Sequence, residues 1–164
     1  MRTWERGLAL TSGPPAADVS TPDMKHQASA VWQGSLKEGS GTLSTGSGAL
    51  VDKPYSFKTR FENEPGTNPE ELIGAAHAGC FSMAFSMILG GAGFTPDKIE
   101  TTAAVKLEQK GGGFAITSSH LDVTATIPGI DDAKFQELAN QAKEGCPVSK
   151  VLNADLTMTA RLAS

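Results

Sequence analysis

At 164 residues the chain is long enough for one ordinary domain and too short for two. Its 39% hydrophobic and 20% charged residues place it among globular proteins and against wholesale disorder. A net charge of −4, with no basic run, excludes nucleic acid or an anionic membrane as the main partner.

In chain order, Met1 to Asp23 carries Gly13, Pro14, Pro15 and Pro22 without apolar periodicity, and reads as a flexible leader over residues 1–23 ahead of one domain over 24–164. The N-terminus lacks an apolar core for a signal peptide, so the expected location is cytoplasmic. Strands are predicted at Gln27–Gln33, Thr42–Thr45 and, after a Gly46-Ser47-Gly48 turn, Ala49–Val51. A further strand is predicted over Tyr55–Glu62. Tyr55, Phe57, Thr59 and Phe61 would share one face, with Ser56, Lys58, Arg60 and Glu62 on the other.

A strong helix start follows: Asn68 as N-cap, Pro69 at the first helical position, and Glu71 in the third slot of a capping box. Leu72–Leu89 is apolar nearly all round, which predicts a helix at the centre of the protein. Its glycines, serines and His77 argue against a membrane span. Gly90, Gly91, Gly93 and Pro96 end it.

Alternation predicts strands over Ile99–Glu108 and Phe114–Ile127, joined by a turn at Gly111–Gly113. Asp131 caps a second helix whose inner side is Phe135, Leu138, Ala139 and Ala142. Cys146-Pro147 opens a helical turn to Leu152, and Leu156, Met158, Ala160 and Leu162 mark a closing strand. Strands, helix, strands, helix, strand give an α+β fold with largely antiparallel sheet.

The reactive inventory is short. There are two cysteines, no Cys-x-x-Cys pair and no Cys/His cluster at zinc spacing, so free thiols are expected rather than a staple or a metal site. Cys80 lies mid-helix among small residues and is either a packed core residue or a nucleophile approached through the gap they leave. Cys146 opens a helical turn, where the backbone dipole lowers a thiol pKa, and by that criterion it is the more activated of the two. The residues alone leave open which cysteine attacks.

Arg60 is either a solvated strand residue or the permanent cation a thiolate needs. Glu70 suits the first helical turn on dipole grounds and could also hold an arginine. Glu71 is a capping residue. His77 shares a helix side with Cys80 and reads as a packed, hydrogen-bonded histidine. His26 and His120 have no companions.

The run from Thr67 to Ala84, containing Asn68-Pro69-Glu70-Glu71 and His77-Ala78-Gly79-Cys80, resembles the first-cysteine motif of the OsmC/Ohr family of thiol-dependent peroxidases. Gly145-Cys146-Pro147-Val148-Ser149-Lys150-Val151-Leu152 is similar to its second-cysteine motif. Tyr55–Glu62, Gly93-Phe94-Thr95-Pro96 and Gly113-Phe114-Ala115-Ile116 match as well, so the likeness spans roughly Met24 to Ser164. His77 and the Pro-Val-Ser tail point to the OsmC branch.

The resemblance implies an intertwined homodimer, with antiparallel sheets wrapped around two long central helices. It implies Cys80 as the attacking thiol, Cys146 as the resolving thiol, Arg60 as the cation for the thiolate and Glu70 as its anchor. The implied activity is reduction of organic hydroperoxides, and less well hydrogen peroxide, in defence against oxidative and osmotic stress. No metal, haem or flavin is called for. A dithiol carried by a lipoyl protein would serve as reductant, and Phe81, Phe85 and Met83 would form an apolar lining. The alternatives are a thiol-based redox sensor or ligand-binding protein on the same fold, and a cysteine hydrolase using His77 as base. Three residues along one helix is poor geometry for the last.

Overall fold

The computed structural model describes residues 24–163, so the leader expected over residues 1–23 lies outside the described residues. The described chain begins with an antiparallel meander of β1 (Ala28–Gln33), β2 (Ser40–Thr45) and β3 (Lys53–Ser56). Trp32 and Tyr55 stand on either side of Gly41 in the register, and their rings meet at 5.3 Å. A Cβ on Gly41 would lie 2.6 Å from the Tyr55 ring, so only glycine lets the two aromatics close over the middle strand.

Two sequence expectations fail in this region. Ala49–Val51 is not a strand. The loop is closed by Thr45 N–H donating to the Leu50 carbonyl at 3.0 Å, and Asp52, at φ +47°, redirects the chain into β3. The strand expected over Tyr55–Glu62 stops at Ser56, and Phe57–Phe61 is a short helix, α1. Its cause is a reciprocal cap: Thr59 N–H donates to Ser56 Oγ at 3.1 Å, and Ser56 N–H donates to Thr59 Oγ1 at 2.9 Å. Phe57 and Phe61, one turn apart, stack at 4.7 Å. The same two aromatics that mimic strand alternation therefore serve the helix.

Helix α2 (Pro69–Gly91) starts where the sequence predicts, with Glu71 N–H donating to Asn68 Oδ1 at 2.8 Å. The cap is one-sided, because the Glu71 carboxylate accepts from Thr67 Oγ1 at 3.2 Å instead of turning back to the Asn68 amide. By length and composition α2 passes for a membrane-spanning helix, with a mean hydropathy of 1.7. Here one of its faces is packed inside the protomer, with Gly74, His77, Phe81, Phe85 and Leu89 buried. At Gly74 a Cβ would sit 3.0 Å from the Ala103 carbonyl, so glycine sets the close approach of α2 to the neighbouring strand.

The second sheet is β4 (Lys98–Lys110), β5 (Gly113–Thr126) and β6 (Asp155–Ala163), in that order. β4 and β5 form the expected antiparallel hairpin, with a register shift after Lys106. β6 runs parallel to β5, because α3 (Asp132–Gly145) and α4 (Pro147–Val151) carry the chain back to the start of the sheet. The fold is therefore α+β with a mixed second sheet. The inward residues of β5, from Ser119 through Leu121, Val123 and Ala125, meet Phe81, Phe85 and Leu89 of α2 and Phe135, Leu138, Ala139 and Ala142 of α3. The inner face of α3 is the one its sequence predicts.

The opposite side of α2 is open. Met83 is 77% exposed and Met87 72%, on the face that also carries Ala75, Ala76 and Gly79. β1 is exposed along its whole length. An apolar helix face and an aromatic-bearing sheet stand uncovered in the protomer.

Candidate active site

Cys80 and Cys146, far apart in sequence, come together where the middle of α2 meets the start of α4. The two thiols are close enough to perturb each other's ionisation, and both are free. Cys80 is partly exposed at the shoulder of the core, whereas Cys146 is fully buried. Pro147 stands at the first position of α4, and the amides of Val148 and Ser149 that follow it favour the ionised form of Cys146, although its side chain makes no capping hydrogen bond.

The two thiols are shifted in opposite directions. Burial pushes Cys80 up, its hydrogen bond to Cys146 and the like charge there add to the rise, and the Val148 N–H opposes them. At Cys146 burial also pushes upward. Donation from the Ser149 N–H, the Cys80 S–H, the Ser149 hydroxyl and the Val148 N–H outweighs it, so this thiol sits below its ordinary value. Within one protomer Cys146 is therefore the more readily ionised of the two thiols. The activation of Cys146 expected from its helical turn is thus present.

Arg60 and Glu70 are brought together elsewhere. The Arg60 guanidinium donates to Glu70 from Nε at 3.1 Å and from Nη2 at 2.6 Å, a two-pronged ion pair. The α1 turn makes this possible by aiming Arg60 at the first turn of α2. Arg60 also lies 5.4 Å from the Phe61 ring centroid. Glu70 stands ten residues before Cys80 on one helix, a separation of about 15 Å along the axis. Among the described residues of the protomer, no cation contributes to the state of Cys80. The four predicted site residues therefore form two pairs that do not meet in one chain.

His77 is not a base beside Cys80. It lies on the buried face of α2, with Nδ1 2.8 Å from Ser119 Oγ and Nε2 2.9 Å from Ser149 Oγ. Burial lowers its pKa, so it is held neutral. Sequence reasoning singled out the histidine and missed both serines. The signals were the inward register of Ser119 on β5 and the position of Ser149 three residues after Cys146.

The expected apolar lining is also corrected. Phe81 and Phe85 are wholly buried in the core and cannot face a substrate, and Met83 points outward on the open side of α2. The apolar hollow lies beside Arg60 instead. It measures about 310 Å³ and is walled by Trp32, Leu36, Tyr55, Phe57 and Phe61. Those aromatics alternate along predicted strands and carried no sign that they would converge.

A mixed α+β protein with two free, mutually perturbing thiols where α2 meets α4 and a pinned arginine at an apolar hollow has the features of a thiol-redox protein. Residues 61–161 match the family model described as OsmC-like protein. The chain is 56% identical over 133 residues to Peroxiredoxin OsmC of Escherichia coli (strain K12), covering 81% of this chain and 93% of that one. It is 31% identical over 99 residues to the organic hydroperoxide resistance protein of Xanthomonas axonopodis pv. citri, covering 60% and 68% of the two chains. Its fold matches the crystal structure of the organic hydroperoxide resistance protein OhrB of Bacillus subtilis with a TM-score of 0.61 and 26% identity, over 84% of this chain and 98% of that one. The chain belongs to the OsmC/Ohr family.

Proposed function

We propose that the chain is a thiol-dependent peroxidase that reduces organic hydroperoxides through Cys80 and Cys146, at a site completed by a second copy of itself. Membership of the family and its likeness to proteins named peroxiredoxin and organic hydroperoxide resistance protein carry the reaction class. The observation that supports the residue roles is that the two thiols perturb each other where α2 meets α4, and that only Cys80 is partly exposed.

In this reading the Cys80 thiolate attacks the O–O bond of the hydroperoxide, releasing an alcohol and leaving a sulfenic acid. The Cys146 sulfur then attacks the Cys80 sulfur, the sulfenic hydroxyl leaves as water, and a disulfide remains. An external dithiol, of the kind a lipoyl protein carries, reduces it by two successive exchanges. The depressed thiol of Cys146 favours it as nucleophile on electrostatic grounds, but a fully buried sulfur is poorly placed to meet a peroxide in solution.

A second copy covers the open methionine face of α2, giving two central helices with the sheets around them, the arrangement the sequence resemblance implies. Run antiparallel, the partner helix would bring Arg60 of the partner subunit and the partner's Glu70 level with Cys80. That cation would lower the Cys80 thiol, which nothing in its own protomer does by charge. The aromatic hollow beside Arg60 would then take the alkyl part of the peroxide. The cytoplasm, where thiols stay reduced, is the compartment that suits two free cysteines.

The test is turnover of cumene hydroperoxide with a dithiol, on the wild type and on Cys80→Ser and Cys146→Ser. Loss of all peroxide consumption in Cys80→Ser, with a single slow turnover and sulfinic acid on Cys80 in Cys146→Ser, is the expected pattern. The reverse pattern would make Cys146 the attacking thiol.

A further inference from the structure

The irregularity in the β4–β5 hairpin changes which way its tip faces. Lys106 pairs with Ser118 and Leu107 with Ile116, so Thr117 is an extra residue with no partner on β4, a β-bulge. Beyond the bulge the inward residues of β5 are Ser119, Leu121, Val123 and Ala125. Unbroken alternation would put Phe114 on the opposite face, with His120 and Asp122. The extra residue reverses that parity. Phe114 instead pairs with Gln109, in line with Ala103 and Val105, the β4 residues that Gly74 of α2 packs against. The bulge is tied across the hairpin: the Thr117 hydroxyl donates to the Glu108 carboxylate, which Lys106 also holds at 2.7 Å.

Turned to that side, Phe114 meets Phe61, with ring centroids 5.1 Å apart and planes tilted by 43°. Phe61 stacks in turn on Phe57 at 4.7 Å, and the Arg60 guanidinium lies 5.4 Å from its centroid. Phe57, Arg60 and Phe61 line the apolar hollow, and Phe114 does not, so it stands behind the wall. At 60% exposure it is too open to be a core residue. Phe61 is the last residue of a five-residue helix, too short to hold the ring by itself. Its support comes from the two aromatics on either side.

We propose that Phe114, aimed by the Thr117 bulge, is a positioning residue that sets substrate specificity: it backs Phe61 and so holds the apolar wall that receives the alkyl or aryl group of the hydroperoxide. Phe114 acts through Phe61, and no bond of the reaction forms or breaks at it. A hydroperoxide with a bulky organic group draws on this wall, whereas hydrogen peroxide, which has no organic group, does not. The inference deepens the peroxidase reading and rests on it, and its test separates the two.

Trp32 lines the same hollow, and in a Trp4→Phe background it is the sole tryptophan of the chain. Its fluorescence can therefore follow binding of cumyl alcohol, the alcohol product of cumene hydroperoxide, without any turnover. Phe114→Ala should weaken that binding by about threefold to tenfold, the range of one aromatic pair, and Phe114→Leu should recover part of it. In turnover with a dithiol, Phe114→Ala should lower kcat/KM for cumene hydroperoxide by a similar factor relative to kcat/KM for hydrogen peroxide. In a Phe61→Leu chain, adding Phe114→Ala should cost little more, because the two residues act as one wall. Cumyl alcohol binding that is absent in the wild type or unchanged in Phe114→Ala overturns the proposal. So does an equal loss with both peroxides, which would mark a general loss of structure. A wild-type chain that binds cumyl alcohol yet consumes neither peroxide would sink the peroxidase reading, and the fluorescence titration would still decide the role of Phe114.

Discussion

A site divided between two copies makes a quantitative demand on mixed mutants. Glu70 and Cys80 are about 15 Å apart along α2, and Arg60 is pinned to Glu70 by two hydrogen bonds of 3.1 and 2.6 Å. The cation of one chain is therefore held well away from the thiol of the same chain. Consider a Cys80→Ser chain mixed with a Glu70→Gln chain, denatured together and refolded. With random pairing in a two-fold dimer, about half of the dimers are mixed, and each has one intact site, so about a quarter of all sites are wild type. Losing the charge that holds Arg60 removes on the order of 1.5 kcal/mol, which leaves Glu70→Gln about a tenth of wild-type activity. The shared arrangement then gives roughly 27% of wild-type turnover, whereas independent protomers give about 5%. Peroxide consumption with a dithiol in excess reads that fivefold gap directly. Activity at the average of the two mutants, with mixed dimers verified by native mass spectrometry, would refute the reasoning.

Arg60→Met should slow peroxide reduction by at least about tenfold while Arg60→Lys keeps part of the rate, because the proposed contribution is charge. An identical Cys80 titration in wild type and Arg60→Met dimers would refute it. His77, whose pKa burial depresses below 6.5, should make stability fall as pH drops below that value, since the unfolded chain takes up a proton that the folded chain refuses. The slope should approach but not exceed about 1.4 kcal/mol per pH unit, measured by urea unfolding, and should disappear in His77→Gln. A slope unchanged in His77→Gln would assign the acid sensitivity to other groups.

What the sequence makes legible here depends on whether a signal is local. The starts of α2 and α3 are written in Asn68-Pro69 and Asp131, and the buried face of α3 follows from its 3.6-residue period, so both were readable. Phe57, Thr59 and Phe61 were misread because Ser56-x-x-Thr59 is a helix cap superimposed on a two-residue alternation, and the cap won. Ala49–Val51 was misread because its hydrogen bonds are spent closing a loop through Thr45. In the site, the cysteines were found by inventory, but their contact was not. Nothing local relates residue 80 to residue 146, and the resemblance supplied what spacing could not. The Arg60–Glu70 pair and the His77 serines are likewise long-range facts, set by the α1 turn and by the register of β5.

The opposite shifts of the two thiols suggest why a peroxidase of this kind would divide its site. A close dithiol pair stabilises one negative charge, and the polar groups at the start of α4 favour that charge on Cys146 over Cys80. That is the right arrangement for resolving a sulfenic acid and the wrong one for attacking a peroxide. Reversing it needs a cation next to Cys80, yet Cys80 sits midway along a helix whose inner face is hydrophobic core and whose polar pair lies at its far end. A buried arginine added to that core would carry a desolvation penalty of several kcal/mol. Delivering the cation from a second copy avoids that penalty, because the face of α2 that would receive it is open in the protomer. Attack would then depend on assembly, while resolution would be built into the single chain. Dilution below the dimer dissociation constant should therefore raise the Cys80 pKa while leaving the Cys80–Cys146 contact in place. A Cys80 titration that does not change with protein concentration across that range would remove the reason for dividing the site at all.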